Sequence, residues 1–168
     1  MMDRGSDNLG FQWWVVWVFV LFVACTAGCS RGSNVEAQMI LAGKAQVGDI
    51  AGMEQALEKG AGLNMEWGLN TPLSWAVHGD QLAAVKFLVS RGANVNAHFG
   101  LPKQTALQQA AEDSNLEIVI YLVQAGADIN ARNKFDRTAL YHARRGLGKD
   151  PKQLEEVVRF LVSKGAVE

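Results

Sequence analysis

The residues best suited to chemistry in this 168-residue chain are three histidines, two cysteines and a few carboxylates. Their spacing decides what each could do. A zinc-protease site needs two histidines on one helical face, four residues apart, and His78, His98 and His142 offer no such pair. Cys25 and Cys29 both lie in the N-terminal segment, so residues 35–168 contain no disulfide framework and no thiolate metal site. Glu112-Asp113 is an acidic pair at the end of a short helical stretch, where a solvated face is the ordinary reading. Ser74 lacks the Gly-X-Ser-X-Gly setting of an activated nucleophile. Gly60 and its equivalents follow helical stretches, whereas phosphate-cradling glycines precede them. No catalytic residue, metal site or cofactor is expected, and the chain is read as a non-enzyme. Sixteen basic against 17 acidic residues provide no electrostatic case for nucleic acid.

What must position these residues is a repeat. Gly-Ala recurs at Gly60-Ala61, Gly92-Ala93, Gly126-Ala127 and Gly165-Ala166, with intervals of 32, 34 and 39 residues. Asn64, Asn96 and Asn130 follow the first three glycines at a constant offset. Thr-X-Leu recurs in phase at Thr71-Pro72-Leu73, Thr105-Ala106-Leu107 and Thr138-Ala139-Leu140. A period near 33 in two independent markers indicates a stacked solenoid rather than one closed globule. Each unit carries a short helix after the threonine and a longer one that ends at the glycine. Leu82, Val85, Leu88 and Val89 fall at helical spacing, as do Leu116, Val119, Leu122 and Val123. Small Ala76, Ala110 and Ala111 would let neighbouring short helices approach closely.

Gly92-Ala93-Asn94-Val95-Asn96, Gly126-Ala127-Asp128-Ile129-Asn130 and Thr71-Pro72-Leu73 together resemble the ankyrin repeat. That family's units open on Thr-Pro-Leu-His and close on Gly-Ala-Asp-Val-Asn. The resemblance covers residues 35–168 and implies an all-α solenoid of about four helix-turn-helix units with hairpin loops, near 35–66, 67–99, 100–133 and 134–168. The family histidine is replaced by Ser74, Gln108 and Tyr141, so its hydrogen bond to the threonine must be remodelled. The first unit has Met39-Ile40-Leu41-Ala42 in place of the opening motif, as end units are atypical. In the fourth, six extra residues around Gly146-Leu147-Gly148-Lys149-Asp150-Pro151 should lengthen the turn between helices.

Residues 1–29 are a separate object. Trp13 to Ala24 carries no charge and no polar side chain, and small residues follow it. Ala27-Gly28-Cys29-Ser30 resembles the end of a bacterial lipoprotein signal, which makes Cys29 the expected lipidation site. Leu21-Phe22-Val23-Ala24-Cys25 makes Cys25 the alternative. An uncleaved anchor and a plain secretion signal stay open, because Asp3, Arg4 and Asp7 leave the head without net positive charge and the apolar core holds Trp13, Trp14 and Trp17. Residues 30–34 and the polar stretch on to Gln38 are expected to be a tether. Ser30 beside the cysteine implies, by the family's sorting rule, the outer membrane facing the periplasm, with inner-membrane anchoring as the alternative.

Such arrays bind through hairpin tips and the exposed ends of their short helices. The resemblance therefore implies partner-binding positions at Trp67, Asn70 and His78 in the second unit. In the third they are Leu101, Gln104, Glu112 and Asp113, and in the fourth Lys134, Phe135, Arg137 and Arg145. Trp67, Leu101 and Phe135 would form a row of apolar anchors, unless they fold back onto their own hairpins. Trp75 is weaker, since its position packs between short helices. The expected function is that of a monomeric, membrane-tethered module of the bacterial cell envelope that binds another protein. An immunity-like inhibitor or regulator of an envelope enzyme or toxin, and an envelope scaffold or stress-protective factor, would use the same surface.

Overall fold

Every short helix begins where a threonine hydroxyl accepts a backbone N–H three residues on. Thr71 accepts from Ser74 at 3.2 Å, Thr105 from Gln108 at 3.3 Å and Thr138 from Tyr141 at 3.4 Å. These caps satisfy donors that a helix start leaves open. The computed structural model describes residues 31–146 and 151–168. The leader with Cys25 and Cys29, and residues 147–150 of the insertion, lie outside them.

The described chain forms α1 (Arg31–Val47), α2 (Ile50–Glu58), α3 (Pro72–His78), α4 (Leu82–Ser90), β1 (His98–Phe99), β2 (Gln104–Thr105), α5 (Ala106–Glu112), α6 (Leu116–Gln124), α7 (Ala139–Arg145) and α8 (Pro151–Ser163). The strands pair antiparallel, His98 opposite Thr105 and Phe99 opposite Gln104. The inner row stacks α1 on α3, α3 on α5 and α5 on α7, while α4, α6 and α8 stack outside it. Ala76, Ala110, Ala111 and Ala143 are fully buried between inner helices. Outside them, Val85, Leu88, Ile118, Val119, Leu122, Val157 and Leu161 are sealed completely, while Leu82, Val89, Leu116 and Val123 are half-buried at the margin. Gly79 sits where units press hardest: a Cβ there would lie 1.9 Å from the Gln46 carbonyl oxygen.

The recurring glycines and asparagines have separate tasks. Gly60, Gly92, Gly126 and Gly165 end the outer helices with φ of 86–94°, a conformation that costs glycine least. The asparagines join the units. Asn64 Oδ1 accepts from Asn94 N at 2.7 Å, Asn96 Oδ1 from Asp128 N at 2.8 Å, and Asn130 Oδ1 from Val167 N at 2.9 Å. The amide groups of Asn96 and Asn130 also donate to the carbonyls of Gly126 and Gly165.

The ends of the array differ from the sequence expectation. Residues 33–38, expected as a tether, belong to α1, which runs for 17 residues where other inner helices have 7. No Thr-Pro start interrupts it, so the helix continues back to Arg31. Gln38 is buried, accepting from Gly62 N and donating to the Met65 carbonyl, both at 2.8 Å. In the last unit the insertion does more than lengthen a turn. Helix α8 has 13 residues against 9 in α6, so part of the extra chain is an added helical turn opening at Pro151. Proline suits that position because the first helical N–H has no partner in the helix. Among the described residues, no helix is long and apolar enough to cross a membrane.

Truncating the sealed side chains in Leu88→Ala or Leu122→Ala should lower unfolding free energy by ~2–5 kcal/mol. Asn96→Ala should cost about 0.5–1.5 kcal/mol for each hydrogen bond lost. Urea titrations followed by helical circular dichroism should separate the two classes, and equal losses in both would contradict this division.

Candidate binding groove

A groove runs along one side of the stack, between the ends of the hairpins and the exposed faces of the inner helices. Its residues come from positions repeated in the second, third and fourth units. The residue before each repeat threonine is Asn70, Gln104 and Arg137. Four residues after it come Trp75, Gln109 and His142, and seven after it His78, Glu112 and Arg145.

Between the second and third units the groove deepens into a cavity of about 240 Å³, lined by Asn70, Ser74, Trp75, His78, Phe99, Gly100, Gln104 and Gln109. Clefts for small molecules usually hold ~300 Å³ or more, and this one has room for one or two amino-acid side chains. The Trp75 ring meets His78 edge-on at 6.2 Å, and its Nε1 donates to the Trp67 carbonyl at 3.4 Å. Three expected residues meet here: Asn70, His78 and Gln104. Trp75, the weaker expectation, joins them, and so do Phe99 and Gln109, which the sequence had not placed there. The polar Gln109 at the position equivalent to Trp75 was the available sign that this position faces the groove.

The third and fourth units are joined across the groove by a partly buried network. Asn133 Oδ1 accepts from Phe135 N at 2.9 Å and Arg137 N at 3.1 Å, which orients its amide. Asn133 Nδ2 then faces His142 Nε2 at 3.2 Å, so that nitrogen accepts and the ring proton resides on Nδ1. Nδ1 meets Glu112 Oε2 at 3.2 Å, and the same oxygen accepts from Gln104 Nε2 at 3.2 Å. Burial lowers the His142 pKa, Glu112 works in the opposite direction, and the Arg137 charge adds to the lowering. The imidazole is therefore held neutral with both nitrogens engaged. Gln108 is a second staple: its Oε1 accepts from Thr105 N at 3.0 Å, and its Nε2 donates to the carbonyls of Ala131 at 2.8 Å and Arg137 at 2.9 Å. The family's threonine–histidine bond is thus remodelled at Gln108, and at Ser74 it becomes a hydroxyl bond to the Thr71 carbonyl at 2.8 Å.

The remaining expected residues fall in different places. Trp67 is half-buried, its N–H and C=O paired with Asn70 at 2.7 and 3.1 Å. The apolar residue offered by that hairpin is instead Leu69, 51% exposed, beside Leu101 at 77% and Phe135 at 57% in the next two. Lys134 is exposed and ties its hairpin to the previous one through N–H to the Pro102 carbonyl at 2.8 Å. Asp113 accepts from Gln109 Nε2 at 2.9 Å and borders a different cavity of about 410 Å³ at the helix turns, with Asp80, Ser114, Glu117 and Glu156. Arg137 and Arg145 flank Tyr141, which the sequence reading had not selected. Among the described residues, no three His, Cys, Asp or Glu side chains are grouped to hold a metal.

Comparison with known proteins bears on the second, third and fourth units of the stack. Residues 69–98 match the family model for the ankyrin repeat, and residues 97–167 match that for ankyrin repeats in three copies. Two proteins of Caenorhabditis elegans are similar over part of their length. The ankyrin repeat and KH domain-containing protein mask-1 is 33% identical over 92 residues, 55% of this chain and 4% of that protein. The BRCA1-associated RING domain protein 1 is 33% identical over 111 residues, 66% of this chain and 15% of that protein. The chain thus corresponds to a small fraction of either relative.

The His142 network sets a sign for pH dependence. Because the folded pKa lies below the unfolded value of about 6.5, the unfolded chain binds the extra proton first. The neutral ring's contribution is complete above pH ~6.5 and declines as pH falls below it. Denaturation midpoints measured across this range should fall in the wild type and flatten in His142→Gln. The facing groups Glu112, Arg137 and Tyr141 are kept in both proteins.

Proposed function

We propose that this chain, whose residues 69–167 are ankyrin repeats, is a protein–protein interaction module that seats its partner in the groove, held at a bacterial envelope membrane by its N-terminus. One observation carries the binding reading: the cleft at Trp75 and His78 is sized for side chains, in an array whose successive hairpins each hold an exposed apolar residue, Leu69, Leu101 and Phe135. Large apolar residues held at an edge are the usual anchors of protein interfaces. No enzymatic family is indicated among the comparisons, and both ring nitrogens of the buried His142 are engaged in structural bonds.

The tether rests on the leader sequence, with its apolar run and Ala27-Gly28-Cys29-Ser30. Helix α1 starts two residues after Cys29, so a lipid there would hold the first unit close to the membrane. The groove's hairpins and inner helices would then face partners in the same compartment, with the outer membrane facing the periplasm as the location.

A photo-crosslinking residue at His78 should capture a discrete protein partner in native membranes, while the same residue at Glu117 on the outer helix α6 should not. Equal capture at both positions would remove the groove from the reading. For the tether, fatty-acid labelling should disappear in Cys29→Ser and persist in Cys25→Ser. The reverse pattern would move the lipid to Cys25, and an unlabelled wild type would exclude lipidation.

A further inference from the structure

The groove ends in the fourth unit on two arginines unlike the others. Of the six arginines whose side chains the structure describes, Arg91, Arg132, Arg144 and Arg159 each meet a carboxylate, on Glu54, Asp136, Glu168 and Glu155. Arg137 and Arg145 meet none among the described residues. Both lie instead against Tyr141, at 4.9 and 5.6 Å from its ring centre, so their charges stand within 10.5 Å of each other. Arg145 donates to the Tyr141 hydroxyl at 2.9 Å, and Arg137 also covers the Phe135 ring at 5.3 Å.

This arrangement has a direction. Stacking on an aromatic ring holds a guanidinium in a fixed orientation and leaves its N–H edge available for two parallel bonds to a carboxylate. The nearest carboxylate of the same groove already has partners: Glu112 has Gln104 and His142. Unused hydrogen-bonding capacity at this end of the groove is therefore cationic. We propose that Arg137, Tyr141 and Arg145 form a clamp for an acidic segment of the partner protein, one carboxylate on each guanidinium. Two acidic residues at positions i and i+2 of an extended peptide are ~7 Å apart, within the reach of both. Phe135 would cover the apolar part of the same segment. The proposal rests on the groove reading and adds the partner's chemistry to it.

The test uses the full chain in non-ionic detergent. A random extended-peptide display library is selected on it, and enriched peptides are synthesised with a fluorophore for anisotropy. Wild type should enrich peptides with Asp or Glu at i and i+2. The double variant Arg137→Gln, Arg145→Gln should bind them about 10-fold more weakly or worse, and Arg137→Lys, Arg145→Lys should recover only part, because it keeps charge without the planar fork. Thermal melting checks that each variant is folded. Removing two paired arginines, Arg91→Gln with Arg159→Gln, should leave binding unchanged. Selected peptides without acidic residues, undiminished binding by the first double variant, or equal loss in the Arg91/Arg159 control would each overturn the clamp while leaving the groove in place. A selection that yields no peptide sensitive to His78→Ala would overturn clamp and groove reading together.

Discussion

The backbone N–H two residues after each of the last three repeat glycines, at Asn94, Asp128 and Val167, takes its acceptor from the unit before. Asn64, Asn96 and Asn130 meet this demand across successive boundaries. Each bond fixes the offset between two units, and the buried alanines of the inner row set their spacing. Once offset and spacing are set, the inner helices stand parallel in file and the hairpins project on one side. The groove is what that repetition leaves open. Its side chains can vary from unit to unit because the stack is held by groups that do not face it.

The groove changes character along its length. The second unit contributes ring and amide side chains, Trp75, His78 and Asn70. The third contributes a carboxylate, Glu112, already met by an amide and an imidazole, and the fourth contributes guanidinium groups held by a tyrosine. A partner lying along it would therefore encounter a pocket first and charge afterwards. Charge at such an edge acts mainly on the rate and salt dependence of encounter, while the pocket controls dissociation. The lowered pKa of His142 keeps its ring from adding positive charge beside Arg137.

Much of the architecture was legible because its markers answer local demands. Threonine announces a helix start, glycine a left-handed stop, and asparagine a bond whose partner stands one repeat away. The features that were missed depend on neighbours rather than on local rules. Trp67 looked like a tip residue, yet the Trp67–Asn70 pairing draws it inward and presents Leu69, which holds a φ of 76°. Gln38 and Gln108 resemble surface glutamines until the hairpin carbonyls and N–H groups that surround them are known. The start of α1 was obscured because polar residues before a repeat resemble a linker when nothing shows which face is covered. Ala37 and Gln38 show that face to be buried.

The inter-unit bonds also bear on how the chain folds. Those made by Asn64, Asn96 and Asn130 close spans of only 30–37 residues, whatever the total length. The entropy lost on loop closure grows slowly with span and is the same at each boundary. Contact order is therefore held down by the repeat itself, which favours rapid folding nucleated at any adjacent pair of units. It also means that duplication or loss of a whole unit changes the reach of the groove without requiring the rest of the chain to find a new topology.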